Sequence, residues 1–321
     1  MLLLGISAFY HDSSAAIVEN GEVIAAVQEE RFTRIKHDSN FPNNSIKYLL
    51  SELPEKGAEI EYVVFYEKPF LKFERLVENY IAFAPRGYKS FIRAMPLWLG
   101  EKLFQKKLII EHLANILPGK ITKNKLLFSE HHLSHAASAF YPSPFHDAAI
   151  LTIDGVGEWA TTTAAIGHGN DIQIISEIHY PHSLGLLYSA FSYFTGFKVN
   201  SGEYKLMGLA PYGVPEYVDK IKSELIDIKN DGSFRLNFDY FDYCTGLTMT
   251  SEKFNHLFDD KPRTPDMPIS QKHMNMAASI QHVTEEIVVL MARHLAKETE
   301  QKNLCLAGGV ALNCVANGKL L

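Results

Sequence analysis

One supersecondary unit is written twice in this chain, and that repeat limits its fold more than any other feature. Leu2–Ser7 is an apolar run that reads as a buried strand, followed by the polar turn Ala8-Phe9-Tyr10-His11-Asp12-Ser13-Ser14. Ala15–Glu19 reads as a second strand, Asn20-Gly21 as a hairpin turn and Val23–Gln28 as a third strand. Asn-Gly between two apolar runs signals a tight hairpin, because both residues tolerate the positive φ that such a turn demands. The layout returns further on. Ala148–Ile153 is a strand, Asp154-Gly155-Val156-Gly157-Glu158 a turn, Ala160–Gly167 a strand, Gly169-Asn170-Asp171 a hairpin turn and Ile172–Ile178 a strand.

The segments between and beyond these units are mostly helical. Asn43–Leu53 is amphipathic, Ile60–Tyr66 is a short strand, and from Lys72 to Leu117 apolar residues recur at helical spacing, broken by Pro85-Arg86-Gly87 and Pro96. Basic and aromatic residues mix from Tyr88 to Lys107, which suits a solvated helical insertion; a membrane-surface or partner-binding face is the alternative. Leu184–Thr195 and Asn275–Glu300 read as helices and Asn303–Leu306 as a buried strand; Ala307–Asn313 turns from it into a helix expected to run to Leu321. The weakly patterned stretch 225–261 suits a lid or a small β insertion.

The expected fold is therefore α/β with two lobes, each opened by a three-stranded unit. This is the duplicated βββαβα architecture shared by actin, the chaperone ATPases and the sugar kinases, in which the first hairpins face a cleft and cradle phosphates. Two unrelated β-meanders are the competing explanation. The boundaries expected are 1–145 for the first lobe, with a helical insertion at about 70–120, and 146–321 for the second, which ends inside a βα unit and reads as incomplete.

With 321 residues there is room for two lobes, and a net charge of −6 offers no attraction to nucleic acid or to an anionic membrane. The 3 cysteines, Cys244, Cys305 and Cys314, form no CxxC pair and suit reduced thiols in a cytoplasmic protein. Met1–Ile6 lacks the basic residues that open a signal peptide, and no apolar run approaches the roughly 20 residues a membrane span needs.

Chemistry concentrates first in Glu130-His131-His132-Leu133-Ser134-His135-Ala136. On a helix, His131 and His135 lie one turn apart on one face, where two imidazoles can reach a single metal ion. Asp154, at the end of its strand, supplies a carboxylate to complete a mononuclear site. His132 competes as an i,i+3 partner of His135, and ordinary helix histidines are the plain alternative.

Three further segments are candidates. The first hairpin turn carries His11, a possible general base, with Asp12 and Ser13 able to close a phosphate-binding turn and Lys36 able to neutralise phosphate charge. Gly155 and Gly157 give the second turn the same potential. Gly308 and Gly309, with Asn313, follow a strand and open a helix, where a flat adenosine could rest. Lys205, in Glu203–Gly208, could border a cleft, and Ser183 is either a helix N-cap or a substrate-facing turn residue. For each, the plain alternative is a turn or a helix cap.

Taken in order, these pieces resemble the O-carbamoyltransferases of nodulation-factor and antibiotic biosynthesis (NodU/CmcH type). The resembling stretches are Gly5–Asp12, Gln28–Phe32, Glu130–Ala136, Asp154–Glu158, Glu203–Gly208 and Gly308–Asn313. The resemblance implies an actin-like transferase domain, similar to the tRNA threonylcarbamoyladenosine transferase, that binds adenine nucleotide and a metal, usually iron as Fe2+. It implies transfer of a carbamoyl group from carbamoyl adenylate to a hydroxyl of a small natural product or saccharide. That donor is made from carbamoyl phosphate and ATP in a YrdC-like domain, which is absent from these 321 residues, as is a late Asp of the family's metal site. By the same resemblance His131, His135 and Asp154 fall on metal ligands, His11 on the catalytic base and Lys36 on a lysine that contacts nucleotide or carbamoyl group. Another actin-fold enzyme, either a kinase or a tRNA threonylcarbamoyl-transferase relative, and an inactive nucleotide- or metal-binding module are the alternatives.

Overall fold

The apolar residues of the first strand alternate, and the alternation sets the first sheet. In strand β1 (Leu2–Ser7), Leu2, Leu4 and Ile6 are buried while their neighbours are half-exposed. That is the period of a strand with one face on a core. The computed structural model describes residues 1–53, 59–102, 104–119 and 121–320. Its chain forms two compact units, Met1–Arg75 with Arg93–Ser134, and Leu76–Ile92 with His135–Leu321.

In the first unit β1 pairs antiparallel with β2 (Ser14–Glu19), and β2 with β3 (Glu22–Gln28). Asn20 and Gly21 both have positive φ, as a tight hairpin requires. A short helix α1 (Glu30–Thr33) and the amphipathic α2 (Asn43–Ser51) follow. Strand β4 (Tyr62–Phe65) then joins β1 in parallel, giving the five-stranded order β3-β2-β1-β4-β5 with β5 (Leu126–Phe128). Leu4, Ile17, Ile46, Leu49, Val63, Phe65, Ile109 and Leu113 form the centre of this unit's core.

Helices α3 (Pro69–Phe83), α4 (Tyr88–Leu97) and α5 (Gln105–Ile116) occupy the stretch read as helical. The break at Pro85–Gly87 falls where expected. Pro96 does not end its helix, which runs on to Leu97 and a π-helical turn, Trp98–Lys102. A proline near a helix end displaces few backbone hydrogen bonds, so the chain tolerates it there. Helix α6 (His131–Phe140) follows β5.

The second unit repeats the plan. Strand β6 (Asp147–Ile153) pairs antiparallel with β7 (Ala160–His168), and β7 with β8 (Asp171–His179). Strand β11 (Leu304–Ala307) joins β6 in parallel, giving the order β11-β6-β7-β8. In each unit a three-stranded antiparallel meander thus carries a parallel strand against its first member. Strand β6 is flanked on both edges and buried along almost its whole length. This is the mixed α/β, actin/sugar-kinase type of plan that the repeat implied.

Helices α7 (Leu184–Phe194), α8 (Glu203–Leu209) and α9 (Val218–Lys220) lead to a small hairpin of β9 (Ile226–Ile228) and β10 (Phe234–Leu236), inside the stretch read as a lid or β insertion. Helix α10 (Glu252–Leu257) precedes the long α11 (Gln271–Thr299). That helix starts four residues before the periodicity suggests, because Ser270 and His273 form a capping box. The helix expected from Asn313 to Leu321 is shorter: a 3-10 turn, Gly309–Leu312, gives way to α12 (Cys314–Asn317). Asn313 makes the difference, since its side chain accepts from the Ala316 N–H as an N-cap. Leu321 lies outside the described residues. Among the described residues, no helix is long and apolar enough to cross a membrane.

Candidate functional site

The pleat of β6 decides where Asp154 points. Ala148 and Ile150 face the side of the sheet where Ala136 and Phe140 of α6 pack. Two-residue alternation carries that face on through Thr152 to Asp154. Asp154 extends the ladder by one bond, its N–H donating to Thr161 O at 2.9 Å. Its Oδ2 lies 3.7 Å from His135 Nε2 on α6. Helix α6 is unbroken, so His131 and His135 are set one turn apart on one face by helix geometry. One ligand atom from each of His131, His135 and Asp154 lies within 4.8 Å of the other two. Two imidazoles and a carboxylate at this spacing are a donor set that suits a divalent transition metal.

Glycines and a serine of the neighbouring loops hold this set in place. Gly308 has φ +89°, and a Cβ there would lie 2.4 Å from Ile153 O. Only glycine lets the loop after β11 lie so close to the end of β6. The approach brings the Gly309 N–H to Asp154 Oδ1 at 3.0 Å, so the glycine pair orients the carboxylate. On the other side Ser183 caps α7 by accepting from Leu186 N at 3.0 Å, and its hydroxyl donates to Gly155 O at 2.6 Å. Of the two readings of Ser183, the N-cap is the one observed. Gly185 is a further close approach, since a Cβ there would lie 2.6 Å from Asp154 O.

Behind His131 stands Glu67, just past the carboxyl end of β4. It is 4% exposed. Its Oε2 forms a short ion pair with Lys72 Nζ and lies 3.6 Å from His131 Nδ1. Burial alone would raise the Glu67 carboxyl, but His131 and Lys72 together outweigh it and hold it down at about 2. No motif marks Glu67 in the sequence. The signal that could have found it is its place beyond the end of a parallel strand, where α/β sheets put functional groups.

In the first turn, His11 Nδ1 lies 2.8 Å from Asp12 Oδ2, and His37 Nδ1 lies 3.0 Å from Asp12 Oδ1. Burial raises the Asp12 carboxyl, but His37 and His11 reverse this and lower it. Asp12 and His37 both have positive φ, at 51° and 57°, a conformation costly for residues with a side chain and concentrated at functional sites. Lys36, beside His37, is exposed. Ser13 is fully buried; its N–H donates to Asp38 O and its carbonyl accepts from Glu29 N, both at 2.8 Å, while its Oγ has no hydrogen-bond partner among the described residues.

The remaining candidates stand apart in kind. The Gly157 N–H donates to Ala160 O at 2.9 Å and closes the turn after β6; a Cβ at Gly155 would meet open space. Lys205 is exposed on α8. Asn313 is buried, its amide exchanging hydrogen bonds with Gln281 at 2.9 and 3.0 Å while capping α12. A second His/Asp group, His146, Asp147 and His168, lies at the start of β6 and is exposed or half-exposed.

Residues 2–321 match the family described as "Carbamoyltransferase N-terminus". The chain belongs to that carbamoyltransferase family. An uncharacterised protein of Synechocystis is 60% identical over 99% of the chain, which covers 52% of that relative. The nodulation protein NolNO of Sinorhizobium fredii is 34% identical over 98% of the chain, which covers 43% of it. The chain thus spans about half the length of these relatives. Among solved structures, HypF of T. kodakarensis is similar at TM-score 0.46 and 14% identity, over 99% of this chain and 43% of that one. Component A of the Acidaminococcus fermentans (R)-2-hydroxyglutaryl-CoA dehydratase is similar at TM-score 0.44 and 13% identity, over 100% and 87%.

Proposed function

We propose that this chain carries the transfer half of an O-carbamoyltransferase. In this reading it takes the carbamoyl group of carbamoyl adenylate, made from carbamoyl phosphate and ATP, to a hydroxyl of a small natural product or saccharide. The observation that carries the reading is the convergence of His131, His135 and Asp154 in a chain of this family. A divalent metal, Fe2+ in this reading, would be held by those three residues and would supply positive charge against phosphate oxygens.

The chain's own residues then divide the work. Asp12 accepts from His11 Nδ1, which leaves His11 Nε2 as the basic nitrogen. From that atom His11 takes the proton of the acceptor hydroxyl as its oxygen bonds to the carbamoyl carbon. The bond from that carbon to the phosphate oxygen breaks, and AMP departs with the electron pair. Lys36 neutralises phosphate charge, and the Gly155–Gly157 turn, Lys205 and the Gly308-Gly309 loop are assigned to nucleotide. A cytoplasmic location fits substrates of this kind.

The test is elemental analysis of anaerobically prepared protein, wild type beside His131→Ala/His135→Ala. Near-stoichiometric metal in the first and none in the second supports the reading. Equal metal content in both would sink the assignment of the histidine pair. A transfer assay with carbamoyl adenylate and His11→Ala separates the chemistry from metal binding, with kcat expected to fall by about 10²–10⁴ if His11 is the base.

A further inference from the structure

A carboxylate 4% exposed is expensive to bury and persists where something holds it. Lys72 satisfies the charge of Glu67. It does not explain why the same oxygen, Oε2, also faces one particular nitrogen of one particular histidine, Nδ1 of His131. His131 is itself buried, and its ring packs against Tyr66, the residue before Glu67, with centroids 5.5 Å apart. Ser134, one turn on, donates its hydroxyl to Tyr66 O at 2.9 Å and ties α6 to the same segment. The end of β4 and the first turn of α6 therefore form one rigid seat for a single imidazole.

We infer that Glu67, anchored by Lys72, is a positioning residue that keeps His131 as its Nδ1–H tautomer and so presents the Nε2 lone pair. A neutral imidazole has one N–H and one lone pair, and an ionised carboxylate can only accept. At 3.6 Å the carboxylate acts through its charge, favouring the N–H edge of the ring on its own side and disfavouring the lone-pair edge. The lone pair is then on the opposite nitrogen, Nε2. His135 already turns Nε2 toward Asp154, so both histidines would offer the same nitrogen. Carboxylate–histidine pairing of this kind fixes ring orientation and raises donor strength at metal sites. The inference rests on the proposed metal reading for its purpose, but the tautomer is a property of the chain alone.

Glu67→Gln by itself strands the Lys72 ammonium, so the informative variant is Glu67→Gln/Lys72→Met, which removes both charges with little change in volume. The full chain, labelled with 15N-histidine and free of metal, would be measured by long-range 1H–15N correlation. The expected result is a His131 Nδ1–H pattern in the wild type, lost or mixed with the Nε2–H form in the double variant and restored by Glu67→Asp. An unchanged tautomer in the folded double variant overturns the inference. Titration with Co2+, read by its visible absorption, gives the second readout, with affinity expected to fall 10–100-fold in the double variant. A wild type that takes up no Co2+ while the tautomer still responds defeats the metal reading and leaves the role of Glu67 standing.

Discussion

At the scale of single residues, the groups that matter are those whose surroundings permit no other side chain or charge. Asp38 is one. It is buried, its Oδ1 accepts from the Asn40 N–H and side-chain amide, and its Oδ2 accepts from Thr33 Oγ1 at 2.8 Å. The Asn40 backbone N–H is the main cause holding its carboxyl below the usual 3.8. A depressed folded pKa stabilises above the unfolded value and loses that contribution as pH falls through the folded one. Asp38→Ala should therefore cost about 1–3 kcal/mol near neutrality, and urea midpoints of variant and wild type should converge as pH drops below about 4. Gly308 is another. Its positive φ and its approach to Ile153 O predict that Gly308→Ala lowers stability by about 2–4 kcal/mol in urea unfolding. If the proposed metal site holds, it should weaken metal uptake as well, because Gly309 donates to Asp154. The cysteines divide by burial. Burial raises the Cys244 thiol to about 11 and the Cys305 thiol above its usual value, while Cys314 is exposed. Alkylation of native protein at pH 8, followed by mass spectrometry, should label Cys314 first, the thiolate being the reactive form.

Among the elements, helix ends and strand ends build the candidate site, and helix middles fill the core. Helix α7 illustrates the division. Leu184, Leu187, Phe191 and Phe194 are buried in the core of the second unit, while Ser183 at its start binds its own helix and the carbonyls of Asp154 and Gly155. Ser183→Ala removes a cap and a tether together. A loss of about 1–2 kcal/mol in urea unfolding is expected, with Ser183→Thr retaining most of it. Helix α11 meets the Gly308–Asn313 loop through Gln281, whose amide pairs with Asn313 and accepts from Tyr188 OH at 2.9 Å. Gln281→Ala and Asn313→Ala should therefore be non-additive in a double-mutant cycle, since the two buried amides bond each other directly.

For the whole molecule, the duplicated meander puts the end of a first strand, with its turn, into each unit: His11–Ser13 after β1 and Asp154–Gly157 after β6. If the Gly155–Gly157 turn and the Gly308-Gly309 loop serve nucleotide, as the proposed function holds, adenine nucleotide should raise the melting temperature of the chain. At 100 times its Kd a ligand adds about 2.7 kcal/mol to stability. A scanning-fluorimetry titration with ATP and AMP that shows no shift at millimolar nucleotide would count against that assignment. The chain spans about half of its relatives, so complete turnover from carbamoyl phosphate and ATP is a question for the longer proteins. Binding and metal content can be measured on these 321 residues.

The strands, the Asn20-Gly21 hairpin and the helix under His131 and His135 were legible in the sequence because each is a local matter. Alternation, turn chemistry and i,i+4 spacing act over a few residues and leave their mark there. Asp154 was legible for the same reason, as the polar residue that ends an apolar run. The partners that aim these groups were not. Glu67 reaches His131 from another strand end, Gly309 reaches Asp154 across the sheet from β11, and Gln281 occupies Asn313 from a helix far away in the chain. Each depends on which strands lie side by side, a choice made by packing two faces of a sheet. Local sequence therefore supplied the candidate donors, and tertiary structure decided which nitrogen, which oxygen and which backbone N–H would meet.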